Sequence, residues 1–221
     1  MTDDRKSGIA LIAGSAGMIL TMLFHPHGAI KAEQVESMAR NLTLVHSLAL
    51  ASLMVLFLGA LGLSRQLRNA DHFDIVGLVL FAFASVAVMN AAVMDGLVAP
   101  NVMRRIVEAG AGGGESWRVA LRYNFEVNQG FARLYAVTSS IAIIFWSISI
   151  LRNRALGRGV GIYGCLFGAV AVVVVFSGRV GMDVHGFGAV VLGQAIWFVT
   201  VGASLCQSKR VDAPSSSGAH A

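Results

Sequence analysis

The chain has 221 residues, 56% of them hydrophobic and 13% charged, with a mean hydropathy of +0.70. Charged residues make up about a quarter of an ordinary soluble domain, so the composition excludes one, and it equally excludes a disordered chain, a disulfide scaffold and a coiled coil. The excess of 17 Lys and Arg over 12 Asp and Glu, a net charge of +5, is the usual balance of a membrane protein with basic residues at one side of the bilayer, and it does not argue for nucleic-acid binding.

A bilayer core takes about 20 apolar residues as helix, and six such stretches fall near 8–24, 42–63, 75–99, 131–151, 157–177 and 184–206, none cut by proline. Residues 1–7 form a short amino-terminal segment. In the first stretch Asp3 and Asp4 dilute the basic start and no small-x-small cleavage site precedes His25, which predicts a retained span rather than a signal peptide. Residues 31–41 (KAEQVESMARN) are helix-compatible, with Glu36 and Arg40 at i,i+4, so the second helix is expected to project beyond the bilayer.

The third stretch carries Asn90 and Asp95 near its end and stops at Pro100. The MRRIVEA run that follows reads as a short interfacial helix, with Met103, Ile106 and Val107 toward lipid headgroups and Arg104, Arg105 and Glu108 toward water. A glycine-rich hinge at 110–114 separates it from a helical lead into the fourth span. In the fifth, Gly157, Gly161, Gly164 and Gly168 recur at +4, +3, +4 and share one helical stripe. Small residues let helices approach in lipid, so this face serves either the chain's own bundle or a homo-oligomer or larger membrane complex. Ala10 with Gly14, and Ala189 with Gly193, predict close contact among the first, fifth and sixth spans. Cys165 and Cys206 sit at different depths, which argues against a disulfide. Residues 208–221 read as a disordered tail.

Basic residues set the direction. Arg5, Lys6, Arg65, Arg68, Arg152, Arg154, Arg158, Lys209 and Arg210 lie on one side, against Lys31, Arg40 and Arg179 in the short connections of the other. By the positive-inside rule both termini are cytoplasmic. The expected architecture is therefore an all-α, polytopic integral membrane protein. It is a six-helix bundle of a cell membrane, read as a bacterial inner membrane, with a short interfacial helix between the third and fourth spans and the lipid bilayer as its surroundings.

The ionisable groups that enter the spans gather at the opposite, outer side. His25, His27, His46 and His185 fall there, with Asp95, Asp183 and Arg133. Counted from the helix ends, His46 and Asp95 lie roughly 6 Å inside the boundary and Asn90 roughly 13 Å. Asn124, Asn128 and Tyr135 share one stripe of the fourth helix, Gln129 and Arg133 another. An ionisable group in a span costs about 2.5–3.5 kcal/mol on insertion scales and turns to a partner or a wet cavity, which suggests an Asp95–Arg133 ion pair. Snorkelling of both residues is the competing reading.

Neutral imidazoles from several helices can hold a transition metal, and His25, His27, His46 and His185 with Asp95 are the candidate ligands. Haem b is a narrower form of the same idea, with His46 and His185 as axial ligands and Asn90, Asn128 and Tyr135 as further polar groups toward a bound cofactor. No HExxH, HxxxH or CxxC pattern is present, no catalytic set stands out, and neither an internal repeat nor helices broken at the midplane point to a transporter. Two readings stand at this level: a metal- or cofactor-binding pocket at the outer face, or an accessory membrane subunit whose polar layer fastens helix ends.

Overall fold

Long apolar runs without internal proline leave the backbone one way to satisfy its N–H and C=O groups out of water, which is helix. The computed structural model describes residues 3–26, 32–68, 72–154 and 156–207, and they contain helices and no strands. The elements are α1 (Asp3–Leu23), α2 (Val35–Gln66), α3 (Phe73–Val93), α4 (Ala99–Glu108), α5 (Gly110–Gly113), α6 (Glu115–Asn153), α7 (Arg158–Phe176) and α8 (Val184–Gln207). A 3₁₀ turn, Ala32–Gln34, leads into α2, and a π turn, Met94–Val98, joins α3 to α4. Six helices are long and apolar enough to cross a membrane, and one of them is the continuous run Phe73–Glu108. The tail expected beyond residue 207 and the candidate ligand His27 lie outside the described residues.

The membrane-length helices bury one face and leave large apolar side chains exposed on the other. On α2 the inward set includes Ala39, Leu42, His46, Ala49, Leu53 and Leu56, while Leu44 and Leu58 are more than 60% exposed. The glycine stripe of the fifth span is used within the chain. A side chain at Gly161, Gly164 or Gly168 would run into Leu151, Ser147 or Ile144 of α6, whereas Gly157 precedes α7 in open space. Gly8 and Gly202 bring α1 and α8 into backbone contact, and Gly14 packs on Leu56 of α2.

The largest buried cluster lies toward the end where α1 begins. Trp146 and Trp197 stack there with ring centroids 6.0 Å apart, and Phe81 and Phe198 close around them. The buried indole of Trp146 donates to Ser64 Oγ at 2.9 Å and to the Asp74 carbonyl at 3.2 Å. Nearer the middle, Tyr135 donates to Gln194 Oε1 at 2.9 Å, and Gln194 Nε2 donates to Ser139 Oγ at 2.7 Å.

The helices differ in length, and the surplus lies at one end. At 1.5 Å per residue, α2, the Phe73–Glu108 run and α6 reach about 48, 54 and 58 Å, well past a hydrocarbon core of about 30 Å. Their extra turns meet at the end of the bundle where α1 finishes. Arg104 reaches Glu36 there at 2.9 and 3.1 Å, and Val35, Leu42 and Met103 bury one another.

This corrects the reading of the third connection. MRRIVEA is no separate interfacial helix but the top of the third long helix, and Met103 packs inward at 4% exposure instead of facing headgroups. Glu36 takes Arg104, across the bundle, as its ion-pair partner in place of Arg40. Proline failed as a stop signal because it stands within the first two positions of α4, after a π turn, where a missing N–H is tolerated.

Candidate metal centre

Three elements bring one side chain each to the mouth of the bundle. The last turn of α1 closes with the Phe24 N–H on the Leu20 carbonyl, and Pro26 lacks the N–H to continue it, so His25 leaves the helix at its rim. His46 stands on the buried stripe of α2 at 7% exposure. Asp95 is carried by the π turn, where the wider winding re-aims residues relative to α-helical register, a common feature of functional sites.

The groups meet on one carboxylate oxygen. His25 Nε2 lies 3.1 Å from Asp95 Oδ2 and His46 Nε2 lies 3.4 Å from the same atom. The two rings stand edge to face, centroids 5.1 Å apart. On their far sides His46 Nδ1 is 2.8 Å from the Leu42 carbonyl and His25 Nδ1 is 3.0 Å from the Pro26 carbonyl.

With both rings neutral, the arrangement suits a cation. Carbonyl and carboxylate oxygens only accept, and a neutral imidazole has a single N–H. If each ring gives its Nδ1–H to its backbone carbonyl, both Nε2 lone pairs face a carboxylate oxygen that is itself electron-rich. A cation among the three atoms turns that repulsion into attraction. The three residues each offer a ligand atom, all within 4.8 Å of one another, and can hold a metal ion. The Nδ1–H to backbone carbonyl contact is also how ligating histidines are commonly oriented. An ion with bonds of about 2.1 Å has ligand-to-ligand edges of roughly 3.0–3.4 Å, the range of the two Nε2–Oδ2 separations.

Neighbouring helices hold the π turn in place. Thr43 Oγ1 on α2 donates to the Gly96 carbonyl at 2.9 Å, and Asn124 Nδ2 on α6 donates to the Met94 carbonyl at 3.0 Å. Gly96 lies directly against His46, and a Cβ there would come 2.7 Å from His46 Cγ. Gln129 Nε2 donates to the Met182 carbonyl at 2.9 Å, tying α6 to the connection before α8.

A cavity of about 300 Å³ adjoins the three ligands and is lined by all of them. Its other walls include Met18, Ala49, Ala91, Asn124, Asn128 and Ala132.

The structure brings His25, His46 and Asp95 together as one group, and the other candidates among the described residues take different places. His185 is exposed at the start of α8, beyond the cavity lining, so it does not join His46 as the second axial ligand expected for haem. Asp183, on the cavity wall, caps α8 by accepting from the His185 and Gly186 N–H groups at 3.1 and 2.9 Å. Asn90 is exposed on the outside of α3 and bonds its own helix at the Val86 carbonyl. Asn128 does line the cavity, whereas Tyr135 is buried deeper, on Gln194. The Asp95–Arg133 pair is not formed. Arg133 is exposed on the outer edge of α6 beside the half-exposed Leu134, while Asp95 turns to α1 and α2.

Helical spacing alone does not mark Thr43 and Gly96 as site residues. The available signal was Pro100, four residues beyond Gly96, because a proline within a helix frees one carbonyl that a nearby hydroxyl must satisfy. No family model matches the chain, and no curated protein or solved structure matches it.

Proposed function

We propose that the chain is a multi-pass membrane protein of a bacterial inner membrane that binds one first-row transition-metal ion at its outer face, through His25 Nε2, His46 Nε2 and Asp95 Oδ2. Both termini then lie in the cytoplasm, in keeping with the count of basic residues. The membrane setting is supported by the six apolar helices and by an outer surface of exposed Leu44, Leu58, Phe83, Leu166 and Val173, which water would disfavour.

The observation that carries the metal reading is the pair of imidazoles whose Nδ1 atoms face backbone carbonyls while both Nε2 atoms face one carboxylate oxygen. Two imidazole nitrogens and one carboxylate oxygen suit Zn²⁺, Fe²⁺ or Cu²⁺. Mg²⁺ and Ca²⁺ prefer all-oxygen sites. Purified protein equilibrated with each ion and freed of excess by gel filtration should retain one equivalent. His46→Ala and Asp95→Asn should lose it, and His185→Ala should keep it. Wild-type protein that retains none, or variants that all retain it equally, contradict the proposal.

A second reading rests on the His25–Asp95 separation of 3.1 Å, which is of hydrogen-bond length. Protons then take the place of the ion and the group fastens the end of α1 to the π turn, as an accessory subunit would use it. Metal-free protein that is destabilised by Asp95→Asn favours this second reading.

A further inference from the structure

We infer that a metal ion at His25, His46 and Asp95 keeps an open coordination position toward the adjoining cavity, and that the cavity takes a small, largely apolar molecule with one metal-ligating nitrogen or oxygen head. The inference rests on the metal reading and adds the ligand class to it.

His25, His46 and Asp95 form the ligating group among the described residues, and an ion that keeps one coordination position open presents it to water or an exogenous molecule. The cavity beside the three residues supplies the space for that molecule. The cavity of about 300 Å³ that they line is at the small end of the range for ligand pockets. It exists because Ala49, Ala91, Ala92, Ala99 and Ala132 stand on the walls where larger side chains would fill it.

The chemistry of the walls gives the class. Met18, Met22, Met38, Met103 and Met182 line the cavity, five of the chain's nine methionines. Flexible thioether side chains make an adaptable apolar wall. Asn124 and Asn128 stand on the α6 wall. An apolar body with a ligating head matches the methionine walls and the metal together. A lipid acyl tail would use the methionines and not the metal.

Cobalt(II) and 4-phenylimidazole are suitable probes, because the visible bands of Co²⁺ report its coordination. Co²⁺-loaded wild-type protein titrated with 4-phenylimidazole should show a saturable change in those bands at one equivalent. Ala91→Leu and Ala132→Leu, each first shown to bind Co²⁺ as the wild type does, should weaken the 4-phenylimidazole affinity about tenfold or more. Either variant suffices should the other fail to fold. Unchanged bands in the wild type, as expected of a lipid-filled cavity, overturn the inference and leave the metal site standing. So does an affinity that both cavity-filling variants leave unaltered. Protein that takes up no Co²⁺ overturns the metal reading as well, so the two failures are distinguishable.

Discussion

Thr43 Oγ1 donates to the Gly96 carbonyl at 2.9 Å, in the π turn just before Pro100, which has no N–H to offer the turn. A proline inside a membrane helix is tolerated when a neighbour's hydroxyl takes over the freed acceptor, and here that neighbour is the helix that also carries His46. Thr43→Val keeps the shape and removes the donor, and it should cost about 1 kcal/mol of stability in detergent unfolding. In a Pro100→Ala background, where an N–H returns to the helix, the same change should cost less. Equal costs in the two backgrounds would show that Thr43 and Pro100 act independently.

Gly96 is the point of closest approach between the π turn and His46. Gly96→Ala should push the imidazole away from Asp95, because the added methyl meets His46 Cβ and Cγ. The expected outcome is a destabilisation of about 1–3 kcal/mol, together with loss of metal retention. A variant that retains the metal with wild-type affinity would mean that the contact is relieved by a shift of the backbone.

Much of the architecture was legible from hydropathy alone, because in lipid the span length and the backbone's hydrogen-bonding needs leave few options. The concentration of polar groups at one end was legible too, and His25, His46 and Asp95 stood among its candidate ligands. The choice within that layer was not. Helical spacing puts Asp95 and Arg133 at similar depth but says nothing of azimuth across a π turn, and the turn directs Asp95 toward α1 and α2 while Arg133 stays on the outer edge of α6. Asn90 and His185 are exposed on α3 and α8, a direction that counting depth along a helix does not give. Pro100 looked like a helix end because its compensation, Thr43, lies 57 residues earlier in the chain.

These placements predict silence at two positions. His185→Ala and Arg133→Gln remove exposed groups outside the cavity lining, and each should change stability by no more than about 0.5 kcal/mol. Metal retention should be untouched in both. A loss of metal in His185→Ala would bring the haem-like pairing with His46 back into consideration.

Trp146→Phe tests the other end of the bundle independently. It removes the indole N–H that binds Ser64 Oγ and the Asp74 carbonyl and loosens the stack on Trp197. A cost of about 2 kcal/mol is expected from the lost hydrogen bonds, with metal stoichiometry unchanged. Coupled loss of both would indicate that the aromatic core and the metal centre unfold as one unit.

X-ray absorption at the edge of the bound metal tests the central claim most directly. Two imidazole nitrogens and at least one oxygen at about 2.0–2.2 Å, falling to one imidazole or to no bound metal in His46→Ala, is the result the account predicts. A wild-type spectrum without imidazole scattering, or one that His46→Ala does not alter, would contradict it.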